Sequence, residues 1–237
     1  MIKPRPLKLR RERWDTPDGD FIDADFLDGP PDAPLLVLFH GLEGSARSHY
    51  AVATALACKD IGWRFVMPHF RGCSGELNRR PRAYHSGDAE EVDWILKRLL
   101  AANDGRKLHA AGVSLGGNTL LKWAGEQGSA AGAVVTGVAA ICTPLDLTAC
   151  GHHLARGFNR VYTRHFLNTM KLASAARLRL FPGLFDEERM QRAINLYEFD
   201  DAVTAPMHGF ASAADYWEKC SAKPWLKSIT IPALAVN

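Results

Sequence analysis

The stretch "HAAGVSLGGNTLL", His109 to Leu121, decides how this chain folds. Its first residues complete a short apolar run, "KLHAA" (107–111), and its last open a helical pattern, "GGNTLLKWAGEQG" (116–128), closed by Gly128. Between them, Gly112-Val113-Ser114-Leu115-Gly116 turns the chain within a few residues. Glycines on both sides of the serine let strand and helix approach without colliding side chains. Strand, tight turn and helix in this order form the repeating unit of a parallel sheet.

Further units lie on either side. "LLVLF" (35–39), "RFVMP" (64–68), "GAVVTGVAAI" (132–141) and "ITIPALAV" (229–236) are short, apolar and do not alternate, as expected of strands covered on both faces. Helical patterns at 50–62 and 89–103 separate them, and Asp88 with Glu91 reads as a capping box for the second. Near the start, "RERWDTPDGDFIDADFL" reads as two strands around Thr16-Pro17-Asp18-Gly19. The region from about 147 to 215 breaks the rhythm and is helical throughout. There Leu154, Phe158, Val161, Tyr162, Phe166 and Met170 share one helical spacing, with Arg156, Arg160 and Arg164 on another face. The expected architecture is one α/β domain over 1–237: a mostly parallel, doubly wound sheet with an N-terminal antiparallel hairpin and a helical cap inserted at about 147–215.

Composition narrows the function. A net charge of +3 gives no reason to expect nucleic acid as a partner. No apolar run approaches the roughly 18 residues of a transmembrane helix, and the basic start, "MIKPRPLKLRRERW", lacks the apolar core of a secretion signal. Five scattered cysteines without a C-x-x-C pair fit a reduced, cytoplasmic setting better than a disulfide framework or a zinc site.

The turn itself points to chemistry. G-x-S-x-G between a strand and a helix is the pattern of a nucleophile elbow, in which a strained turn exposes the serine hydroxyl. The helix start then aims free N–H groups and the positive dipole end at charge developing in acyl transfer. Without activation, the same residues make a glycine-rich turn with a capping serine. "LFHGLEGSARSHY" follows the 35–39 strand, and His40-Gly41 sits where such enzymes place the other half of an oxyanion hole. The backbone N–H groups of Leu42 and Leu115 are the expected donors. His40 itself is expected to be a loop histidine bonded to nearby backbone.

With these motifs goes a family resemblance. "TPDGDF" (16–21), "HGLEGS" (40–45), "FRGCSGE" (70–76), "YHSGD" (84–88), "GVSLGGN" (112–118) and "FDDAVTAPMHGFASAADYWEKCSA" (199–222) resemble the YheT-like esterases, the AB-hydrolase-4 group of the α/β-hydrolases. The resemblance covers nearly the whole chain. It implies an α/β-hydrolase fold and cofactor-free hydrolysis of small-molecule or lipid carboxylic esters of short or medium acyl chain, through an acyl-enzyme on Ser114.

In α/β-hydrolases the triad runs serine, acid, histidine along the chain. The resemblance puts the acid after the strand matching "IPALAV" and the histidine beyond one more strand, both past Asn237. Residues 1–237 are therefore expected to lack the last strand and helix of the fold and to be nearly inactive. Loss of the histidine removes on the order of 10⁶ in turnover. Substitutes within the chain are weak: His152, His153 and His165 belong to the basic cap, His208 reads as structural or substrate-side, and Asp146 as a turn or cap residue. Arg71 is expected to hold neighbouring carbonyls, and Cys73 and Cys142 to be buried, inert thiols. The alternative to an esterase is a non-catalytic α/β-hydrolase-fold binding protein.

Overall fold

In the computed structural model, which describes residues 7–237, the apolar runs pair into one sheet. The first six residues of the basic N-terminal stretch lie outside the described residues. The strands are β1 (Arg10–Asp15), β2 (Phe21–Leu27), β3 (Leu35–Phe39), β4 (Arg64–Pro68), β5 (Leu108–Val113), β6 (Val135–Ile141) and β7 (Ala233–Val236). Their spatial order is β1-β2-β4-β3-β5-β6-β7. β1 and β2 form the antiparallel hairpin, β2 runs antiparallel to β4, and β4, β3, β5, β6 and β7 are mutually parallel. The expected fold class is the observed one.

Alternation explains why the central strands read as unbroken apolar runs. Leu35, Val37 and Phe39 enter one core, together with α2 (Ala89–Ala102) and α3 (Leu115–Gln127). Leu36 and Leu38 turn to the other face, against α1 (His49–Asp60). Both faces are covered, so neither needs polar residues. The last two strands begin later than their patterns suggest. β6 starts at Val135 because Gly128–Ala133 forms a 3-10 turn, and β7 shrinks to four residues. Pro232 has no N–H for a ladder, although its carbonyl accepts from Val138 N at 2.9 Å.

Helices fill the stretch after β6: α4 (Leu147–Leu154), α5 (Arg160–Leu180), α6 (Glu187–Arg192), α7 (Leu196–Phe199), a π-turn at Asp200–Thr204, α8 (Ala205–His208) and α9 (Ala213–Cys220). The single apolar face expected from Leu154 to Met170 does not exist. Gly157, at φ +54°, breaks the helix, and the spacing carries no register across the break. Phe158 is 85% exposed, and Val161 and Tyr162 face solvent with Arg156, Arg160 and Arg164. The buried stripe of α5 is Thr163, Leu167, Ser174 and Arg177. None of the described helices is long and apolar enough to cross a membrane.

The capping box also forms only in part. Asp88 accepts from Glu91 N at 3.4 Å, but the Glu91 carboxylate turns to Arg71 instead of returning to the cap. Arg71 in turn meets Asp18 at 2.7 Å and Asp20 at 3.0 Å. This loop arginine therefore holds carboxylates, not the carbonyls expected, and ties the hairpin turn to α2.

Candidate active site

Between β5 and α3, Ser114 has φ 53° and ψ −119°, a conformation that L side chains seldom adopt. The surroundings hold it there. Ser114 N donates to Ile141 O at 2.8 Å, and Ser114 O accepts from Gly117 N at 3.0 Å and Asn118 N at 3.1 Å. The flanking glycines are steric necessities. A Cβ on Gly112 would stand 2.4 Å from Gly116 O, and one on Gly116 would stand 2.4 Å from Phe39 O. The start of α3 thus packs directly on the end of β3, which brings the next loop to the serine. A Cβ on Gly41 would lie only 3.2 Å from Ser114 Cβ.

That loop is pinned from both sides. Gly41 N donates to Tyr50 Oη at 3.0 Å and Glu43 N to Tyr84 Oη at 2.9 Å. Between them, Leu42 N has no acceptor among the described residues, and the same holds for Leu115 N at the helix start. The structure thus brings Ser114 beside the loop carrying Leu42 and leaves both expected donors uncommitted. His40 is fully buried; its Nδ1–H donates to Gly41 O at 2.7 Å and its Nε2 accepts from Phe70 N at 2.9 Å. Burial pushes its pKa down to about 3, so it is a neutral brace for the loop.

Ser114 opens into a cavity of about 120 Å³, lined from below by Leu42, Ser86 and Leu115 and from the cap by Leu147, Leu154, Phe166, Met170 and Trp217. A second cavity of about 80 Å³ adjoins it. The two share Leu42, Leu115, Met170, Asp200 and Tyr216, while Tyr84, His85, Arg177 and His208 line only the second. Asp200 is buried where Trp217 Nε1 (2.8 Å) and Thr204 Oγ1 (2.6 Å) donate to it, and desolvation still pushes its pKa up to about 6.

No histidine lines the Ser114 cavity, and among the described residues no side chain hydrogen-bonds Ser114 Oγ. His152, His153 and His165 are exposed on the cap. His208 packs against His85 with ring centroids 4.5 Å apart and the rings tilted by 55°, and burial pushes its pKa down to about 3. Asp146 caps α4 by accepting from Ala149 N at 2.9 Å and pairs with Lys223 at 3.0 Å. The buried pair Asp25–His69, 2.8 Å apart, lines neither cavity. Neither thiol is buried as expected: Cys73 is half-buried, with desolvation raising its thiol pKa as in an inert group, and Cys142 is exposed. It follows β6 in a left-handed turn, φ 50°, that carries its side chain out of the sheet. Among the described residues no cluster of ligating side chains could hold a metal.

Three further residues at or near the cavities carry no signal of their own in the sequence pattern: Asn118 and Tyr216 merely fall in matching segments, and Arg177 falls in none. Asn118 is fully buried on α3. Its Nδ2 donates to Ser86 O and Cys220 O, each at 2.8 Å, and its Oδ1 accepts from Ala222 N at 2.9 Å. Tyr216 Oη accepts from Ser86 N at 2.9 Å. Arg177 reaches the second cavity from α5.

The sequence pattern of the alpha/beta hydrolase fold matches residues 34–237. The chain is 40% identical to YheT of Escherichia coli, a protein with an esterase designation, over 95% of this chain and 67% of that one. It is 29% identical to the mouse phospholipase ABHD3 over 98% of this chain and 58% of that one. It thus spans 58% to 67% of the length of these relatives. Among solved structures, an α/β serine hydrolase without a lid from Xanthomonas campestris aligns at a TM-score of 0.47 and 20% identity, covering 60% of this chain and 65% of that one. From the matched pattern and the YheT identity, this chain belongs to the α/β-hydrolase family, among its YheT-like members.

Proposed function

We propose that the chain is the serine-bearing part of a carboxylic ester hydrolase, acting as one domain with a helical cap over about 147–215. In this reading Ser114 Oγ attacks the ester carbonyl, and the backbone N–H groups of Leu42 and Leu115 bind the oxyanion of the tetrahedral intermediate. The alcohol leaves, and water releases the acid from the acyl-serine. The carrying observation is the strained serine with two uncommitted amides beside it. An apolar cap wall suits a short or medium acyl chain, and the relatives' names, esterase and phospholipase, suit small-molecule or lipid esters. Five free thiols suit a reducing, cytoplasmic setting.

The general base and its acid are proposed to come from outside residues 1–237, because no histidine within them faces Ser114 Oγ. Residues 1–237 alone should then hydrolyse p-nitrophenyl butyrate hardly above background. A protein of the relatives' full length should turn it over and take up a neutral fluorophosphonate on Ser114, with Ser114→Ala losing both. Brisk turnover by residues 1–237 that Ser114→Ala abolishes would place the base inside them. A full-length protein that leaves Ser114 unlabelled would favour the non-catalytic binding reading.

A further inference from the structure

Three cationic side chains are buried among the described residues: Arg71, Lys122 and Arg177. Arg71 is matched by Asp18, Asp20 and Glu91, and Lys122 by Glu126. Arg177 is 6% exposed, yet among the described residues it forms no ion pair and its guanidinium donates no hydrogen bond. A guanidinium stays charged at any physiological pH, and a buried charge without a partner is costly. Its five N–H groups form a fork that fits a carboxylate or a phosphate.

The fork is held in the wall of the second cavity. It lies against Gly72, where a Cβ would come within 2.9 Å of Arg177 Nη2 and where the backbone has φ +85°. His208, whose buried Nε2 has no partner, lines the same cavity. Two carboxylates also line it, and both are engaged. Tyr84 Oη donates to Glu43 at 2.8 Å, while Asp200 receives Trp217 and Thr204. Neither lies within 4 Å of Arg177, so the positive charge is left facing the cavity. Leu42 and Leu115, whose amides flank Ser114, stand on the boundary between the two cavities.

We infer that Arg177 is a specificity-determining residue that receives an anionic group of the substrate, a phosphate or a carboxylate. An ester carbonyl held at Leu42 and Leu115 would extend its apolar acyl chain under Leu147, Phe166 and Trp217 and its charged portion into the second cavity. The inference builds on the reading of Ser114 as nucleophile, but the anion site can be tested without turnover.

Calorimetric titration of residues 1–237 with sn-glycerol 3-phosphate, glutarate and glycerol separates phosphate, carboxylate and neutral probes. At least one anion should bind and glycerol should not. Arg177→Gln should weaken that binding at least about tenfold, as loss of a charge-assisted bond implies. Arg177→Lys should retain part of it, and Arg179→Gln, on the exposed face of the same helix, should leave it unchanged. Arg177→Gln should also melt no lower than the parent, because it removes an unpaired buried charge; a purely structural arginine would melt lower on removal. The inference falls if neither anion binds at millimolar concentration, or if Arg177→Gln binds them equally well. Anion binding through Arg177 alongside a Ser114 that never takes up the fluorophosphonate would sink the hydrolase reading and leave the anion site standing. Labelling without anion binding would do the reverse.

Discussion

At Ser114 the backbone stores strain that a glycine would relieve, of the order of 1–3 kcal/mol for a non-glycine residue in such a conformation. Gly112 and Gly116, where no Cβ fits, and Gly41, where one would crowd the serine, make that strain possible by letting three chain segments converge. Those residues could be read from the sequence because a glycine requirement is local. Arg177, Asn118 and Tyr216 could not, since their partners and cavities lie 30 to 130 positions away and leave no periodic mark. Asp200, on the boundary of the two cavities, makes stability depend on pH. Its pKa is raised from 3.8 to about 6, so the folded state holds the proton more tightly than the unfolded one. Its contribution to stability is therefore most favourable below about pH 4, falls as pH rises towards 6 and is level above. Asp200→Asn removes this titration. The unfolding free energy of the parent relative to that variant, from urea melts, should fall by up to about 3 kcal/mol over that window, at about 1.4 kcal/mol per pKa unit. A flat difference would show that Asp200 titrates normally.

Among the elements, the core strands and three core helices lie within a few residues of their sequence patterns, since a covered parallel strand must be apolar on both faces. The cap resisted because Gly157 resets the helical phase between α4 and α5, so a spacing that spans it joins residues of different elements. At the start of α4, Asp146 has a cap's partners and faces no reacting group. Asp146→Ala should cost about 1 kcal/mol of stability, the usual worth of an N-cap carboxylate, and Asp146→Asn little. Neither should alter fluorophosphonate uptake at Ser114 in the full-length protein. An Asp146→Asn protein that folds normally but labels far more slowly would make Asp146 part of the catalytic machinery.

For the whole molecule, a buried charge network joins the hairpin to the sheet alongside the β2–β4 pairing and the packing of Trp14, Ile22 and Ala24 in the main core. Asp20, fully buried, receives Phe21 N, Asn78 Nδ2 and Arg79 N on one oxygen and Arg71 on the other. Arg71 reaches on to Glu91 in α2, so one guanidinium links the hairpin turn, the loop after β4 and a core helix. The motifs "TPDGDF", "FRGCSGE" and the start of α2 each hold one piece, but the sequence gives no hint that they meet. Arg71→Met should destabilise the chain by about 3–5 kcal/mol, the usual cost of leaving buried carboxylates without their counter-charge. A thermal melt showing a loss below about 1 kcal/mol would mean the carboxylates find water or another cation.

Asn118 grips both the 85–87 loop and the strip of chain returning from the cap at 220–222, and it does so from the helix whose first turn carries Ser114. The roof over the serine is thus fastened at its exit to the same rod that presents the hydroxyl. It cannot swing off as a hinged door on that side. The anchored side is the fixed jamb of the chamber, whereas Phe158, Val161 and Tyr162 stand out in water elsewhere on the roof.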